Sequence, residues 1–326
     1  MQSSSQLFPV ALISAERRGD LSEDVYLIKA NNSLDFTTEL AVTRLGLADR
    51  AGPPGAAVVL VHGSFSNRRF WYSPKGQGLG PWLARAGFDV WIAEMRGHGL
   101  SPRNQGYASN RLDDYARYDL PAIGAFVAEM NGHPAYWVGH SMGGTTLAMA
   151  LGLGTLAGAR GVAVFGSQVS RRYAGLRLPP LNWALRRVLK GFGRVSGARF
   201  KRGPEDEPAG IAIELLRWQS LLGRPGAWWA GLAQSQAPVL VAAGSADEQD
   251  PAWACRALFE QLGGEHKQFI ELGRAQGLAQ DFGHVDMLHG PQAQAEVWPL
   301  LERWLRQPEA PLLREAPAAP GAPISG

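Results

Sequence analysis

The stretch AYWVGHSMGGTTLAMAL, residues 135–151, places a serine at a corner between an apolar run and a segment of small residues. The apolar residues 136–138 are typical of a buried strand, and the residues after Ser141 are typical of a helix. Gly139 and Gly143 stand two residues before and two after Ser141, where side chains would collide in so sharp a turn. The stretch therefore predicts a nucleophilic serine at the end of a buried strand.

Short apolar runs alternate with helix-length segments along most of the chain. They lie at residues 56–61, 88–93, 135–139, 161–166, 237–244 and 266–272. Because the runs lack alternating polarity, they are typical of parallel strands buried on both faces. Earlier β-forming clusters at residues 25–29 and 36–43 predict an antiparallel pair. The predicted fold class is α/β, with a mostly parallel central sheet flanked by helices.

This strand rhythm breaks between Gly166 and Gln236, where no clear strand is visible. The segment holds four of the eleven tryptophans, and ten Lys or Arg but no Asp or Glu lie between Val169 and Gly203. We predict a helical cap inserted into the α/β core. The predicted organisation is an N-terminal segment at 1–20, a core at 21–166 and 237–306, a cap at 167–236, and a disordered proline-rich tail at 307–326.

Composition bounds the class of protein. With 326 residues, 45% of them hydrophobic, the chain can bury a large core. A formal charge of +3 is too mild to predict nucleic-acid binding, and a single cysteine, Cys255, allows no internal disulfide. The N-terminus lacks the layout of a signal peptide, and no apolar stretch reaches the ~18 residues of a transmembrane helix. We expect a soluble, cytoplasmic protein without a transmembrane segment.

A serine nucleophile needs a base, and the base needs an acid that orients it. Asp247 follows the fifth apolar run, at the carboxyl end of a predicted strand, where open α/β sheets collect their chemistry. His284 follows the last run. We predict Ser141 as the nucleophile, Asp247 as the acid and His284 as the base, an order that suits a nucleophile on this sheet. Asp250 and His289 remain the alternatives for the acid and the base.

Acyl transfer also needs hydrogen-bond donors for the oxyanion. The run at 56–61 leads into HGSF (62–65), where Gly63 lets the backbone approach Ser141. We predict an oxyanion hole formed by the backbone N–H groups of Ser64 and Met142. His62 is interpreted as holding this loop by hydrogen bonding.

Of two further groups of polar residues, the first is interpreted as structural, and the second is considered and rejected as a metal site. Arg96 and His98 follow the run at 88–93 and are expected to brace the neighbouring loops. His284, Asp286 and His289 have a spacing that faintly resembles a metal site, but no further ligands stand at suitable positions. We therefore predict no metal and no organic cofactor.

Together, these motifs resemble the α/β-hydrolase family over about residues 56–306. The resemblance rests on HG (62–63), RGHG (96–99), GHSMG (139–143), Asp247 and His284. It implies the α/β-hydrolase fold with a helical cap. GFDVW (87–91), DLPA (119–122), DP (250–251) and HVD (284–286) further resemble the acid-lipase branch, whose members hydrolyse neutral lipid esters. Met142 departs from the glutamine usual there, although only its backbone N–H would be used.

The function predicted is hydrolysis of a small-molecule carboxylic ester through an acyl-enzyme intermediate. Serine at position 141 argues against epoxide hydrolases and haloalkane dehalogenases, which use aspartate, and against polyester synthases, which use cysteine. An acyltransferase or thioesterase with the same triad is the alternative within enzymes, and a catalytically silent ligand-binding scaffold is the alternative outside them. We expect no nucleic-acid partner.

The cap suggests where an apolar acyl group would bind. Its tryptophans Trp218, Trp228 and Trp229 are expected to line an acyl pocket. Residues 181–192 form an amphipathic pattern with a basic back. This helix either packs on the body with its basic side in solvent, or offers that side to anionic lipid in a peripheral contact.

Overall fold

A nine-stranded sheet runs through the computed structural model, which describes residues 5–50, 52–221, 223 and 225–312. The strands of this sheet are β1 Val10–Arg18, β2 Leu21–Ile28, β3 Leu40–Leu47, β4 Ala57–Val61, β5 Asp89–Ala93, β6 Tyr136–His140, β7 Gly161–Phe165, β10 Val239–Gly244 and β11 Lys267–Leu272; β8 Arg194–Ser196 and β9 Asp206–Pro208 form a separate antiparallel ribbon. The order across the large sheet is β1-β2-β3-β5-β4-β6-β7-β10-β11. Strands β5, β4, β6, β7, β10 and β11 are parallel, as predicted from the six apolar runs.

Helices cover both faces of this sheet. They are α1 Leu79–Arg85, α2 Leu112–Asp114, α3 Leu120–Asn131, α4 Met142–Gly152, α5 Ala174–Arg177, α6 Pro179–Phe192, α7 Ala209–Gln219, α8 Ala227–Gly231, α9 Ala252–Gln261 and α10 Trp298–Arg306. One apolar core lies under α3, α4 and α9, and the other lies under α1 and α10. Because β4 sends alternate side chains into the two cores, all five of its residues are buried. Within the described ranges, no helix has the length and apolarity needed to cross a membrane.

The N-terminal part of the sheet differs from the prediction. Strand β1 pairs antiparallel with β2, so residues 10–18 of the predicted N-terminal segment form an edge strand of the sheet. Strand β3 begins at Leu40 because Asp35 turns the chain just before it: the carboxylate accepts hydrogen bonds from the Thr37 N–H (2.9 Å) and the Gly106 N–H (2.8 Å). This turn overrides the strand propensity of the threonines that follow Phe36.

The insertion at 167–236 contains helices α5–α8 and also the β8–β9 ribbon, which the sequence did not predict. Its end belongs to the body, since α8 crosses α4 so closely that a methyl group at Gly152 would lie 2.0 Å from the Trp228 carbonyl oxygen. Helix α6 fully buries only Asn182, and Trp183 and Phe192 are 60% and 72% exposed. Contact of this helix with anionic lipid stays a prediction.

The packed body extends beyond the predicted boundary at residue 306. The Gln268 side chain donates hydrogen bonds to the carbonyl oxygens of Pro308 and Ala310 and accepts one from the Leu312 N–H, each at 3.0 Å. Leu312 is buried. Residues 307–312 are therefore held against β11, and residues 313–326 of the predicted disordered tail lie outside the described residues.

Candidate active site

Ser141 stands between the last residue of β6 and the first residue of α4. Its backbone has φ 51° and ψ −122°, a conformation that costs a non-glycine residue about 1–3 kcal/mol. The Ser141 N–H donates to the Phe165 carbonyl oxygen of the neighbouring strand at 2.9 Å, which holds the turn in place. The serine is buried, with its side chain at the amino-terminal end of α4, where the helix dipole favours negative charge.

The glycines around Ser141 allow three segments of backbone to meet. A methyl group at Gly143 would lie 2.4 Å from the His62 carbonyl oxygen, and one at Gly139 would lie 2.7 Å from Gly144 Cα. Both distances are shorter than any real van der Waals contact. The close approach that the sequence predicted for these glycines is therefore present in the fold.

We expect Gly143→Ala to lower the free energy of unfolding by about 1–3 kcal/mol, because the new methyl group must push the carbonyl groups of Val61 and His62 away from α4. Urea denaturation measures this effect. Gly191→Ala is the matched control, since Gly191 lies in α6 with no atom within 4 Å of its added methyl group. Equal stability of Gly143→Ala and the wild type would show that the backbone at 61–62 adapts without cost.

Asp247 and His284 are brought together from different loops. Asp247 Oδ2 lies 2.8 Å from His284 Nδ1, and Asp247 Oδ1 accepts hydrogen bonds from the backbone N–H groups of Gln249 and Asp250. Burial opposes ionisation, but these hydrogen bonds hold the pKa of Asp247 below its ordinary value. The carboxylate therefore orients the imidazole with its proton on Nδ1, which leaves Nε2 as an acceptor.

The hydroxyl of Ser141 and the free nitrogen of His284 each have another partner in this structure. Ser141 Oγ lies 3.5 Å from Asp250 Oδ2, and Gln249 Nε2 donates to His284 Nε2 at 2.9 Å. Although both residues are described, no hydrogen bond joins Ser141 to His284. Gln249 therefore occupies the imidazole nitrogen that Asp247 leaves free.

Asp250, the alternative acid, has a different environment from Asp247. Its Oδ2 lies 3.8 Å from His284 Nδ1, and its Oδ1 accepts a hydrogen bond from Gln168 at 2.8 Å. Burial raises the pKa of Asp250 to about 6. A carboxyl whose ionisation is opposed by burial, and which lies farther from Nδ1, is a weaker partner for an imidazolium than Asp247 is.

His289, the alternative base, points elsewhere. Its ring meets Phe70 edge-on at a centroid distance of 4.4 Å, and burial lowers its pKa. It lines a separate surface cleft with Trp82 and Trp298. The geometry thus favours His284 over His289.

His140 contacts the loop of His284, an arrangement that the sequence did not predict. Its Nε2–H donates to the His284 carbonyl oxygen at 2.8 Å, and its ring stacks on Phe70. Burial lowers the pKa of His140 to about 3, so the ring is neutral and can hold the His284 loop without adding charge beside the base. The sequence feature that could have indicated this contact is the position of His140 directly before Ser141 in GHSMG.

The predicted oxyanion loop lies against α4. The N–H groups of Ser64 and Met142 have no acceptor within the described part of the chain. Ser64 Oγ contacts Met142 Sδ at 3.3 Å, so the methionine side chain packs on the loop while its amide stays free. His62 accepts from the Met95 N–H (3.3 Å) and donates to the Gly63 carbonyl oxygen (2.9 Å), which is the structural role expected for it.

A buried carboxylate from the cap, Glu207, also holds this loop and was missed at the sequence level. The Phe65 N–H donates to Glu207 Oε1 at 2.5 Å, and Glu207 Oε2 lies 3.3 Å from His98 Nε2. Burial opposes protonation of His98, but the Glu207 carboxylate outweighs it and raises the pKa of His98. His98 thus braces the oxyanion loop through the β8–β9 ribbon.

Arg96, the other residue interpreted as a brace, forms a buried ion pair. Its guanidinium donates to both carboxylate oxygens of Asp119, with an Nε–Oδ2 distance of 2.9 Å. The pair ties the loop after β5 to the start of α3. Arg96 therefore has a structural partner, as expected.

Two cavities meet at Ser141. The first, about 360 Å³, runs under the cap and is mainly apolar; its lining includes Leu112, Met142, Val169, Leu176, Leu215, Leu216 and Trp218. The second, about 560 Å³, lies on the side of the base and includes His284. Of the three tryptophans expected in an acyl pocket, Trp218 lines the first cavity. Trp228 lies buried beside Trp218, and Trp229 lines a separate cleft.

Comparison with known proteins identifies the architecture. The family model described as "alpha/beta hydrolase fold" matches residues 56–155, which include β4, the oxyanion loop and the Ser141 turn. A monoacylglycerol lipase from Paleococcus ferrophilus, at 21% identity, superposes with a TM-score of 0.58 over 82% of this chain and 99% of its own. The chain has the α/β-hydrolase fold.

Curated relatives match this chain over a shorter stretch. Human "Lipase member K" is 38% identical over 104 residues, which are 29% of this chain and 26% of the relative. Human "Lysosomal acid lipase/cholesteryl ester hydrolase" is 35% identical over 101 residues, 28% of this chain and 25% of the relative. The match thus spans about a quarter of the length of these relatives.

Proposed function

We propose that this protein is a serine hydrolase that cleaves carboxylic esters. The observation that carries the proposal is the 2.8 Å contact between Asp247 and His284. Asp247 follows β10 and the strained Ser141 follows β6, so both lie at the edge of the sheet where the parallel strands end. A hydroxyl at such a turn, an oriented imidazole and two free amides together supply the parts that acyl transfer requires.

In the proposed cycle, ester binding displaces Gln249 from His284 Nε2, which then accepts the Ser141 proton. Ser141 Oγ attacks the ester carbonyl carbon, and the Ser64 and Met142 N–H groups bind the oxyanion. His284 returns the proton to the departing alcohol as the carbon–oxygen bond breaks. His284 then removes a proton from water as the water oxygen attacks the acyl carbon, and it returns that proton to Ser141 Oγ as the Oγ–acyl bond breaks and the carboxylic acid leaves.

The comparisons support this proposal from the nucleophile side. Residues 56–155, which match the family model, contain Ser64 and Ser141 but end before Asp247 and His284. The relatives named above are lipases, one of them an acid lipase and cholesteryl ester hydrolase. The match supports an ester as substrate, and the apolar lining of the cavity under the cap supports an apolar acyl group.

A fluorophosphonate probe and a series of p-nitrophenyl esters, from acetyl to palmitoyl, test the proposal. We expect covalent labelling of Ser141, located by peptide mass spectrometry, and release of the free acid. Activity should peak at short or medium chains, because a cavity of about 360 Å³ is at the lower end of the ~300–1,000 Å³ typical of ligand sites. An enzyme that is neither labelled at Ser141 nor active on any ester would overturn the proposal.

Adding a competing alcohol to the same assay distinguishes hydrolysis from acyl transfer. A hydrolase should continue to release mainly the acid, whereas an acyltransferase would form a new ester at the expense of the acid. The products are separated by chromatography.

A further inference from the structure

The two cavities at Ser141 differ in the catalytic groups they contain. The cavity of about 560 Å³ is lined by His284, His140 and the oxyanion loop, and by Lys201 and Arg202 from the turn that joins β8 to β9. His284 does not line the apolar cavity under the cap. Lys201 and Arg202 were part of the basic run in the sequence but had no assigned role.

The position of His284 decides which part of an ester enters which cavity. A general acid must lie within hydrogen-bonding distance of the oxygen that it protonates. The alcohol portion of the ester therefore leaves through the cavity that contains His284. The acyl portion is left with the apolar cavity, whose Leu215, Leu216 and Trp218 suit a hydrocarbon chain.

The cavity of about 560 Å³ that contains His284, called here the alcohol-side cavity, has two cations in its lining and no carboxylate. The two cations are Lys201 and Arg202. Throughout the described ranges, no carboxylate oxygen lies within 4.0 Å of either side-chain cation, whereas Arg194, on the strand before them, has a carboxylate partner. Arg194 contacts Asp206 at 3.2 Å. Two unpaired cations beside a reaction centre favour an anionic ligand group.

The turn that carries these cations is held rigidly against the oxyanion loop. The Glu205 N–H donates to the Phe65 carbonyl oxygen at 3.1 Å, and a methyl group at Gly203 would lie 2.2 Å from that same oxygen. The Arg202 N–H donates a hydrogen bond to the Gly197 carbonyl oxygen at 2.9 Å. Lys201 has φ 53°, a left-handed conformation that is uncommon for lysine. The backbone of both cations is thus positioned relative to Ser141.

We propose that the preferred esters carry an anionic group, a phosphate or a carboxylate, on their alcohol portion, and that Lys201 and Arg202 bind it. The inference rests on the proposed ester hydrolase function and deepens it. It separates this chain from an enzyme for wholly neutral esters, because the two exposed cations add binding free energy only for an alcohol that carries negative charge.

Two matched pairs of butyryl esters test the proposal with the whole protein. The first compares butyryl glycerol phosphate with butyryl glycerol, and the second compares O-butyryl lactate with O-butyryl lactamide; released butyrate is quantified by chromatography. We expect the anionic member of at least one pair to have a kcat/KM about tenfold or more above its neutral partner. The phosphate and carboxylate arms show which anion the cavity takes.

The double variant Lys201→Gln/Arg202→Gln should raise KM for the anionic ester about tenfold or more, and should change kcat/KM for the neutral ester less than about threefold. Arg187→Gln/Lys190→Gln is the matched control. It removes the same charge from the cap, but these residues line a different groove. A variant with no effect on the anionic ester, or a control with the same effect, would overturn direct binding by Lys201 and Arg202.

The assays also separate this inference from the function beneath it. If the neutral member of both pairs is hydrolysed as well as or better than the anionic member, the inference fails and the ester hydrolase function stands. If no ester releases butyrate and the fluorophosphonate leaves Ser141 unlabelled, the proposed function itself fails.

Discussion

Replacing Ser141 with alanine is expected to lower kcat/KM for the best ester at least about 10⁴-fold, because no other hydroxyl can form the acyl-enzyme at this turn. The Ser141→Ala protein should also lose all labelling by the fluorophosphonate. Steady-state kinetics on the best p-nitrophenyl ester, together with intact-protein mass spectrometry, measure both effects.

Ser14→Ala is the matched control, since Ser14 lies on the edge strand β1, which four other strands separate from β6 and Ser141. It should retain wild-type activity and labelling. Both variants should unfold at temperatures close to that of the wild type, because neither change creates a large cavity. Retention of most of the activity by Ser141→Ala would rule out this serine as the nucleophile.

Replacing Asp247 and Asp250 with asparagine, one at a time, distinguishes the proposed acid from the neighbouring carboxylate. Asp247→Asn is expected to lower kcat/KM about 10⁴-fold, because an amide that presents NH₂ to Nδ1 favours the wrong imidazole tautomer. Asp250→Asn should lower kcat/KM less than about tenfold, since its amide oxygen can still accept the Gln168 hydrogen bond. Parallel kinetics at several pH values measure the two losses.

The reason for this difference lies in the contacts of the two carboxylates. Asp247 Oδ2 is 2.8 Å from His284 Nδ1, and Asp250 Oδ2 is 3.8 Å from the same atom. A loss of about 10⁴-fold on Asp250→Asn, with little loss on Asp247→Asn, would reverse the roles of the two residues. Far-ultraviolet circular dichroism of both variants checks that the losses are not caused by unfolding.

Much of the fold was predictable from local sequence. The six runs such as AAVVLV at 56–61 are apolar on both sides, and only a strand covered by two helical layers buries both sides. The turn at Ser141 was predictable for a similar reason, because its glycines remove side chains at the point where three backbone segments come within van der Waals distance. Patterns within a few residues of each other were sufficient for these features.

The early part of the chain was less predictable. Strand β1 presents an alternately half-buried and exposed pattern at the edge of the sheet, so few of its residues carry a strong apolar signal. Strand β3 starts later than its β-forming residues suggest, because Asp35 forms hydrogen bonds with Gly106, a residue 71 positions away. A contact over that distance leaves no local pattern to recognise.

For this protein, the sequence by itself determined the parallel sheet, the serine at the end of β6, and the short set of residues from which the acid and base must come. Only the tertiary structure decided that Asp247, and not Asp250, lies at hydrogen-bonding distance from His284. It alone also set Glu207 under the oxyanion loop and the turn carrying Lys201 and Arg202 beside Ser141. The physical reason is that strands and turns follow from the neighbours of each residue, whereas these pairings depend on how distant loops pack together.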